Sequence, residues 1–82
     1  MTNLEKYNRA FTTILGVVEE DLPGLKYRGI QKWDSIAHMD LMNEMEELFL
    51  VHLSTLDVLN FSSYEKGMDI LEAYGCPIRE KA

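Results

Sequence analysis

Residues 33–49 read WDSIAHMDLMNEMEELF, and this stretch decides the fold of the chain. Its apolar side chains recur every three or four residues, the period of an α-helix with one buried face. Asp34 and Ser35 both suit the N-cap position, because their side-chain oxygens accept from the free N–H groups of a first turn. The sequence therefore predicts a central helix that begins at one of these two residues and ends near Phe49. The apolar face is expected to consist of Met39, Met42, Met45 and Phe49, with Ile36 or Leu41 in support.

The segment before this stretch predicts a first helix and a long loop. Thr2 followed by Glu5 is the pattern of a capping box, and helical spacing of apolar residues follows, so we expect a helix over roughly residues 3–17. Residues 19–33 contain Pro23 and two glycines without a sustained period, which predicts an ordered loop of a length often associated with function. The residues expected to hold this loop on a core are Leu22, Leu25, Tyr27, Ile30 and Trp33.

Two shorter helices are expected after the central helix. Ser54 is predicted to cap a very short helix over residues 55–59. Ser62 and Glu65 repeat the capping-box pattern and predict a last helix over roughly residues 63–73.

The order of these elements predicts an all-α fold, a small four-helix bundle with three principal helices, one short helix and a long loop between helices one and two. No hairpin turn is flanked by alternating segments, so no β-sheet is expected. Gly67, inside the last helix, lowers helix propensity by about 1 kcal/mol relative to Ala, and we expect it to allow a close approach by a neighbouring helix. The 82 residues are expected to form a single domain over residues 1–82.

The composition argues against several classes of protein. A net charge of −6 disfavours nucleic-acid binding, which needs clustered Lys and Arg. No apolar run approaches the ~20 residues that span a membrane, and the N-terminus does not have the pattern of a signal peptide. We therefore expect a cytoplasmic monomer with no membrane or nucleic-acid partner. Cys76 is the single cysteine, so no intrachain disulfide can form, and a deep active-site cleft is hard to build from so short a chain.

The charges are distributed unevenly along the chain. No Lys or Arg lies from Trp33 to Glu65, whereas basic residues precede and follow this stretch. Asp40, Glu44 and Glu47, the acidic row, step by four and three residues along one side of the central helix. Such a row is either a solvated face or a docking strip for basic partners, and the absence of compensating cations favours docking.

Ser35 stands at the start of the central helix. A phosphate ester there would meet free backbone N–H groups and the positive end of the helix dipole. A plain N-cap is the simplest alternative. A hydrolase using Ser35 and His38 is a third, but it would need an orienting group, an oxyanion hole and a substrate pocket. Both His38 and His52 are expected at the surface, and no residues show the ligand spacing of zinc or calcium sites.

The segment Trp33–Met42, continued by Glu44–Phe49, resembles the central motif of acyl and peptidyl carrier proteins. In that family an Asp-Ser-Leu or Asp-Ser-Ile motif opens the second helix of a helical bundle, and its Ser bears 4′-phosphopantetheine from coenzyme A. Residues 61–71 resemble the beginning of the family's last helix. The resemblance covers the whole length of the chain and the order of its helices. It rests on the motif, the position of the motif, the chain length and the acidic composition together.

The resemblance implies a carrier rather than an enzyme. Ser35 would be the attachment residue of the phosphopantetheine arm, and Asp34 would assist its loading. The arm would hold acyl or aminoacyl groups as thioesters for enzymes of fatty-acid, polyketide or related biosynthesis. Trp33 is expected to pack before the helix as a hydrophobic staple, with contact to the arm as the alternative. The residues expected to contact partner enzymes are Ile36, Asp40, Asn43, Glu44 and Glu47.

The implied partners are a phosphopantetheinyl transferase, an acyl- or aminoacyl-activating ligase, and ketosynthase or acyltransferase-type enzymes. Carriers of fatty-acid synthesis usually have an acidic Asp-Leu-Gly segment where this chain has Gly29–Trp33, and often an apolar residue at the position of Asn43. The chain is closer in these respects to carriers of stand-alone specialised pathways. If Ser35 is only a cap, the alternative is a non-covalent helical interaction module that docks through the same acidic surface.

Overall fold

The computed structural model describes residues 1–79 and confirms an all-α bundle. Its four α-helices and one 3₁₀ turn are, in chain order, α1 (Asn3–Leu15), the 3₁₀ turn (Glu19–Asp21), α2 (Ser35–Phe49), α3 (Thr55–Asn60) and α4 (Tyr64–Ala73). Within this described part no β-strand forms, and one isolated antiparallel bridge joins Lys26 to Ser63. The single domain expected over residues 1–82 includes residues 80–82, which lie outside the described residues.

Local capping sets the ends of α1. The Thr2 hydroxyl accepts from the Glu5 N–H at 3.1 Å, and the Glu5 carboxylate accepts from the Thr2 N–H at 2.8 Å, so the predicted capping box is confirmed. Gly16 adopts a left-handed conformation with φ of 67° and donates its N–H to the Thr12 carbonyl. The helix therefore ends at Leu15 rather than at the predicted residue 17, because Gly16 adopts the left-handed conformation that closes a helix.

The cap of α4 differs from the prediction. Ser63, not Ser62, caps the helix, and its hydroxyl accepts from the Lys66 N–H at 3.0 Å. The cause is the pairing between this segment and the long loop, in which the Tyr27 N–H donates to the Ser62 carbonyl at 2.9 Å. This pairing keeps residues 62–63 extended, so the helix begins one residue later. Glu65 instead accepts from the Gly24 N–H at 2.9 Å and ties the first turn of α4 to the loop.

The core is built around a cluster of aromatic side chains from α1, the loop and the region of α4. Tyr7 and Phe11 lie with ring centroids 5.1 Å apart, and Phe11 meets the Trp33 ring edge-on at 5.4 Å. Gly67 faces this cluster. A Cβ atom there would lie 2.2 Å from Phe61 Cζ and 2.3 Å from the Tyr7 hydroxyl, which confirms that Gly67 permits a close approach.

The buried face of α2 differs from the predicted one. The buried residues are His38, Leu41, Met42 and Met45, at helical spacing. Met39 is instead 51% exposed, so its assignment to the core was wrong, and of the two alternatives Ile36 and Leu41 it is Leu41 that lies in the core. Each residue turns the helix by about 100°, so a register that admits His38 to the core leaves Met39 outside it.

Candidate functional site

Ser35 is the first residue of α2, and its side chain is exposed. The cap of the helix is Asp34, whose Oδ1 accepts from the Ala37 N–H at 2.9 Å. Among residues 1–79, no side-chain hydrogen bond involves the Ser35 hydroxyl. The choice between the two candidate caps is therefore resolved in favour of Asp34, and the hydroxyl of Ser35 is left accessible to solvent.

The surroundings of Ser35 favour an anion. The free N–H groups of the first turn and the positive end of a 15-residue helix dipole lie at this position. The loop before it carries Arg28, and an open cavity of about 450 Å³ is lined by residues 28–31, 33 and 34. The first turn of α2 therefore offers a group on Ser35 backbone donors and a dipole that favour an anion.

Trp33 and His38 form a buried polar pair behind the site. Trp33 Nε1 donates to His38 Nδ1 at 3.0 Å, and His38 Nε2 lies 2.8 Å from the Val58 carbonyl oxygen. Because Nδ1 accepts, the proton of the neutral ring is assigned to Nε2, which donates to Val58. The expectation of a surface His38 was wrong, since this side chain is 8% exposed and bonded through both nitrogens. No ring nitrogen is left to take a proton from Ser35, which argues against the Ser35–His38 hydrolase.

Trp33 occupies the staple position that the sequence predicts. It precedes the cap residue Asp34, and its partner His38 is the fourth residue of α2, the position that pairs with the staple residue. Its side chain is fully buried, as a staple residue requires. His52, by contrast, is exposed as expected, with a 3.5 Å contact to Glu46.

The predicted partner residues divide into two groups. Ile36, Asp40, Asn43 and Glu47 are exposed along one side of α2. Glu44 is half-buried and lines a cavity of about 280 Å³ between α1 and α2, together with Lys6 and Arg9 of α1 and their neighbours. Four of the five predicted residues, one apolar and three polar, are therefore exposed on α2, and Glu44 lies at their edge toward α1.

α3 adds exposed apolar residues that the sequence reasoning missed. Leu56 and Leu59 are 66% and 73% exposed, and α3 has no buried residue. The half-buried Val58 side chain packs against the core, and polar contacts also hold this helix. The Val58 carbonyl bonds to His38, and Tyr74 donates its hydroxyl to Asp57 at 2.5 Å while accepting from the N–H of the α3 cap residue. The sequence did contain a signal for this exposed apolar pair, because a helix as short as α3 carries two leucines three residues apart.

Some classes of site find no support in the described part of the chain. No group of three or more His, Cys, Asp or Glu side chains among residues 1–79 is placed to hold a metal ion. Within the same range, no helix combines the length and the apolar character needed to cross a bilayer.

No family model, no curated protein and no solved structure matches this chain.

Proposed function

We propose that this chain is an acyl carrier protein of about the size of one domain, with Ser35 as its attachment residue. The observation that carries the proposal is the free, exposed hydroxyl of Ser35 at the start of α2, where Asp34 has taken the capping role. The motif resemblance around residues 33–49 supplies the identity of the group, 4′-phosphopantetheine.

In the loading reaction, the Ser35 oxygen attacks the diphosphate of coenzyme A and loses its proton. A phosphodiester bond to Oγ forms, the bond within the diphosphate breaks, and adenosine 3′,5′-bisphosphate leaves. A phosphopantetheinyl transferase supplies the catalytic groups. The second carboxylate oxygen of Asp34 makes no hydrogen bond within residues 1–79, so Asp34 can assist the transferase while it caps the helix.

When bound, the arm supplies a thiol that carries acyl or aminoacyl groups as thioesters. The chain itself positions the attachment point and presents a recognition surface. Ile36, Asp40, Asn43 and Glu47 form the proposed contact strip on α2, with Glu44 at its edge. An acidic strip around an exposed apolar residue suits partners with a basic rim. We propose as partners an activating ligase and ketosynthase or acyltransferase-type enzymes of cytoplasmic fatty-acid, polyketide or related biosynthesis.

Intact-mass analysis tests the proposal directly. The purified protein is incubated with coenzyme A, magnesium and a promiscuous phosphopantetheinyl transferase, beside an established carrier as positive control. We expect a mass gain of one phosphopantetheine and no gain for Ser35→Ala. The matched control is Ser62→Ala, because Ser62 is also an exposed serine and lies outside the motif. No gain in the wild type, while the positive control is loaded, would refute the carrier function.

The second candidate is a non-covalent helical interaction module. The exposure of Ile36 beside the acidic row favours it, since this surface needs no modified serine to bind a partner. The two candidates differ in the fate of Ser35. A module retains partner binding in Ser35→Ala and gains no mass with transferase, whereas a carrier loses its cargo with that substitution.

A further inference from the structure

Arg28 is an exposed cation that makes no ion pair within the described residues 1–79. Its guanidinium carbon lies 5.5 Å from the centroid of the Tyr27 ring, and its Nε donates to the Tyr27 hydroxyl oxygen at 3.3 Å. Within residues 1–79, the ion pairs that form involve His52 and Arg79, and none involves Arg28. The N–H groups of its two terminal nitrogens are therefore available to a ligand.

The backbone holds Arg28 beside the start of α2. Its φ of 61° is left-handed, which is uncommon for a residue with a side chain. Its N–H donates to the Trp33 carbonyl at 3.0 Å, and the Gly29 N–H closes the turn on the Lys26 carbonyl at 2.8 Å. Ser35 follows Trp33 by two residues, or at most about 7 Å of extended chain. A group on the Ser35 oxygen is thus within reach of the long Arg28 side chain.

A cavity lies between Arg28 and Asp34, the residue before Ser35. Its volume is about 450 Å³, and it is open to solvent. Arg28 and Asp34 flank this opening. The hydrogen bond to Tyr27 raises the pKa of Arg28, and the negative charge of Asp34 contributes to the same direction. The lining residues are Arg28, Gly29, Ile30, Gln31, Trp33 and Asp34.

We propose that Arg28 binds the phosphodiester of an arm on Ser35, and that this cavity receives the adjoining amide-bearing part of the arm. The inference rests on the proposed function. A phosphodiester offers paired anionic oxygens, which match the planar fork of a guanidinium. The Gln31 side chain at the cavity can donate to and accept from an amide, and Ile30 supplies apolar contact. In a chain of net charge −6, Arg28 also offsets the repulsion that the added phosphodiester would meet.

The experiment compares apo and loaded protein by ¹H–¹⁵N and ³¹P NMR, with loading verified by intact mass. In the wild type, loading is expected to shift the Arg28 Nε–H resonance and the Gly29–Gln31 amides. Arg28→Asn removes the guanidinium, and Asn tolerates the left-handed conformation. In this variant we expect the loading shifts at residues 29–31 to be lost and the ³¹P resonance to move, while the first turn of α2 still responds. Arg28→Gly serves if the Asn variant does not fold.

Lys26→Gln is the matched control, because it removes one positive charge from the same loop at a residue outside the cavity lining. It should retain the wild-type shifts. If the mass gain occurs but Arg28 and residues 29–31 do not respond, or if Lys26→Gln and Arg28→Asn behave alike, the inference is overturned and the carrier function stands. A missing mass gain would instead overturn the carrier function and this inference with it.

Discussion

The hydrogen bond between Trp33 and His38 is expected to stabilise the fold in a measurable way. Replacing His38 by Leu keeps an apolar side chain in the core but removes the acceptor of the Trp33 N–H. Because Trp33 is fully buried, water cannot replace this acceptor. An unsatisfied buried donor costs about 1–3 kcal/mol, so we expect His38→Leu to lower the free energy of unfolding by about 2 kcal/mol. The Val58 carbonyl is only partly buried and regains water, so its loss adds little.

A double-mutant cycle isolates this hydrogen bond from the packing effects. Trp33→Phe removes the donor, and the double variant lacks both partners, so the penalty for the orphaned N–H disappears from it. We expect a coupling free energy of about 1–2 kcal/mol between the two positions. Urea unfolding followed by far-UV circular dichroism measures the four proteins. In a domain of this size, about 2 kcal/mol corresponds to a loss of roughly 10 °C in Tm.

His52→Leu is the matched control, since the His52 side chain is 96% exposed. It should change the free energy of unfolding by less than about 0.5 kcal/mol. The reasoning would be refuted if the effects of His38→Leu and Trp33→Phe added to within about 0.5 kcal/mol in the double variant. Additivity would mean that the two rings contribute through packing alone.

Three further predictions concern Gly67, Tyr7 and Asp34. Gly67→Ala should lower the free energy of unfolding, measured in urea, by about 2–3 kcal/mol, because the added carbon meets two buried aromatic side chains. An unchanged free energy of unfolding would show that these side chains can move aside. Burial raises the pKa of the Tyr7 hydroxyl far above its usual value, so only the unfolded chain loses this proton near pH 10. The contribution of Tyr7 to stability should be constant below about pH 9 and fall by up to about 1.4 kcal/mol per pH unit above about pH 10. Flat urea midpoints between about pH 9 and 11 would contradict this. Asp34→Asn should leave Tm nearly unchanged, because Asn caps as well as Asp, yet slow loading by the transferase in the intact-mass assay; Asp34→Ala should lose about 1 kcal/mol as well.

The parts of the fold that sequence reasoning predicted are those encoded within a few neighbouring residues. The cap of α3 by Ser54 is confirmed by its 3.1 Å bond to the Asp57 N–H, three residues away. The cap of α4 was placed one residue too early, because the pairing of Lys26 with Ser63 spans 37 positions and leaves no local signal. Local patterns therefore predicted that these helices exist, and distant contacts decided where they begin.

In the candidate site too, local patterns were predictable from the sequence, and features set by distant contacts were not. The motif and position of Ser35 were readable from the sequence, but the choice of Asp34 as the cap needed the geometry of the first turn. His38 was misplaced because the burial of a histidine depends on partners, and one of them, Val58, is 20 residues away. Arg28 carried no sequence signal beyond its charge, since its left-handed backbone and its bond to Trp33 arise from the folded loop.

The way in which α3 is held has a consequence for how the bundle opens. Because this helix has no fully buried residue and packs on the core only through the half-buried Val58, beside its polar contacts, releasing it would expose much less apolar surface than unfolding the bundle. Such a local opening has a small heat-capacity change, and its free energy depends weakly on denaturant concentration. Global unfolding has a large heat-capacity change, and its free energy depends strongly on denaturant concentration. Amide hydrogen exchange in low urea should therefore separate α3 from the other helices, as a segment that detaches while the aromatic core stays intact.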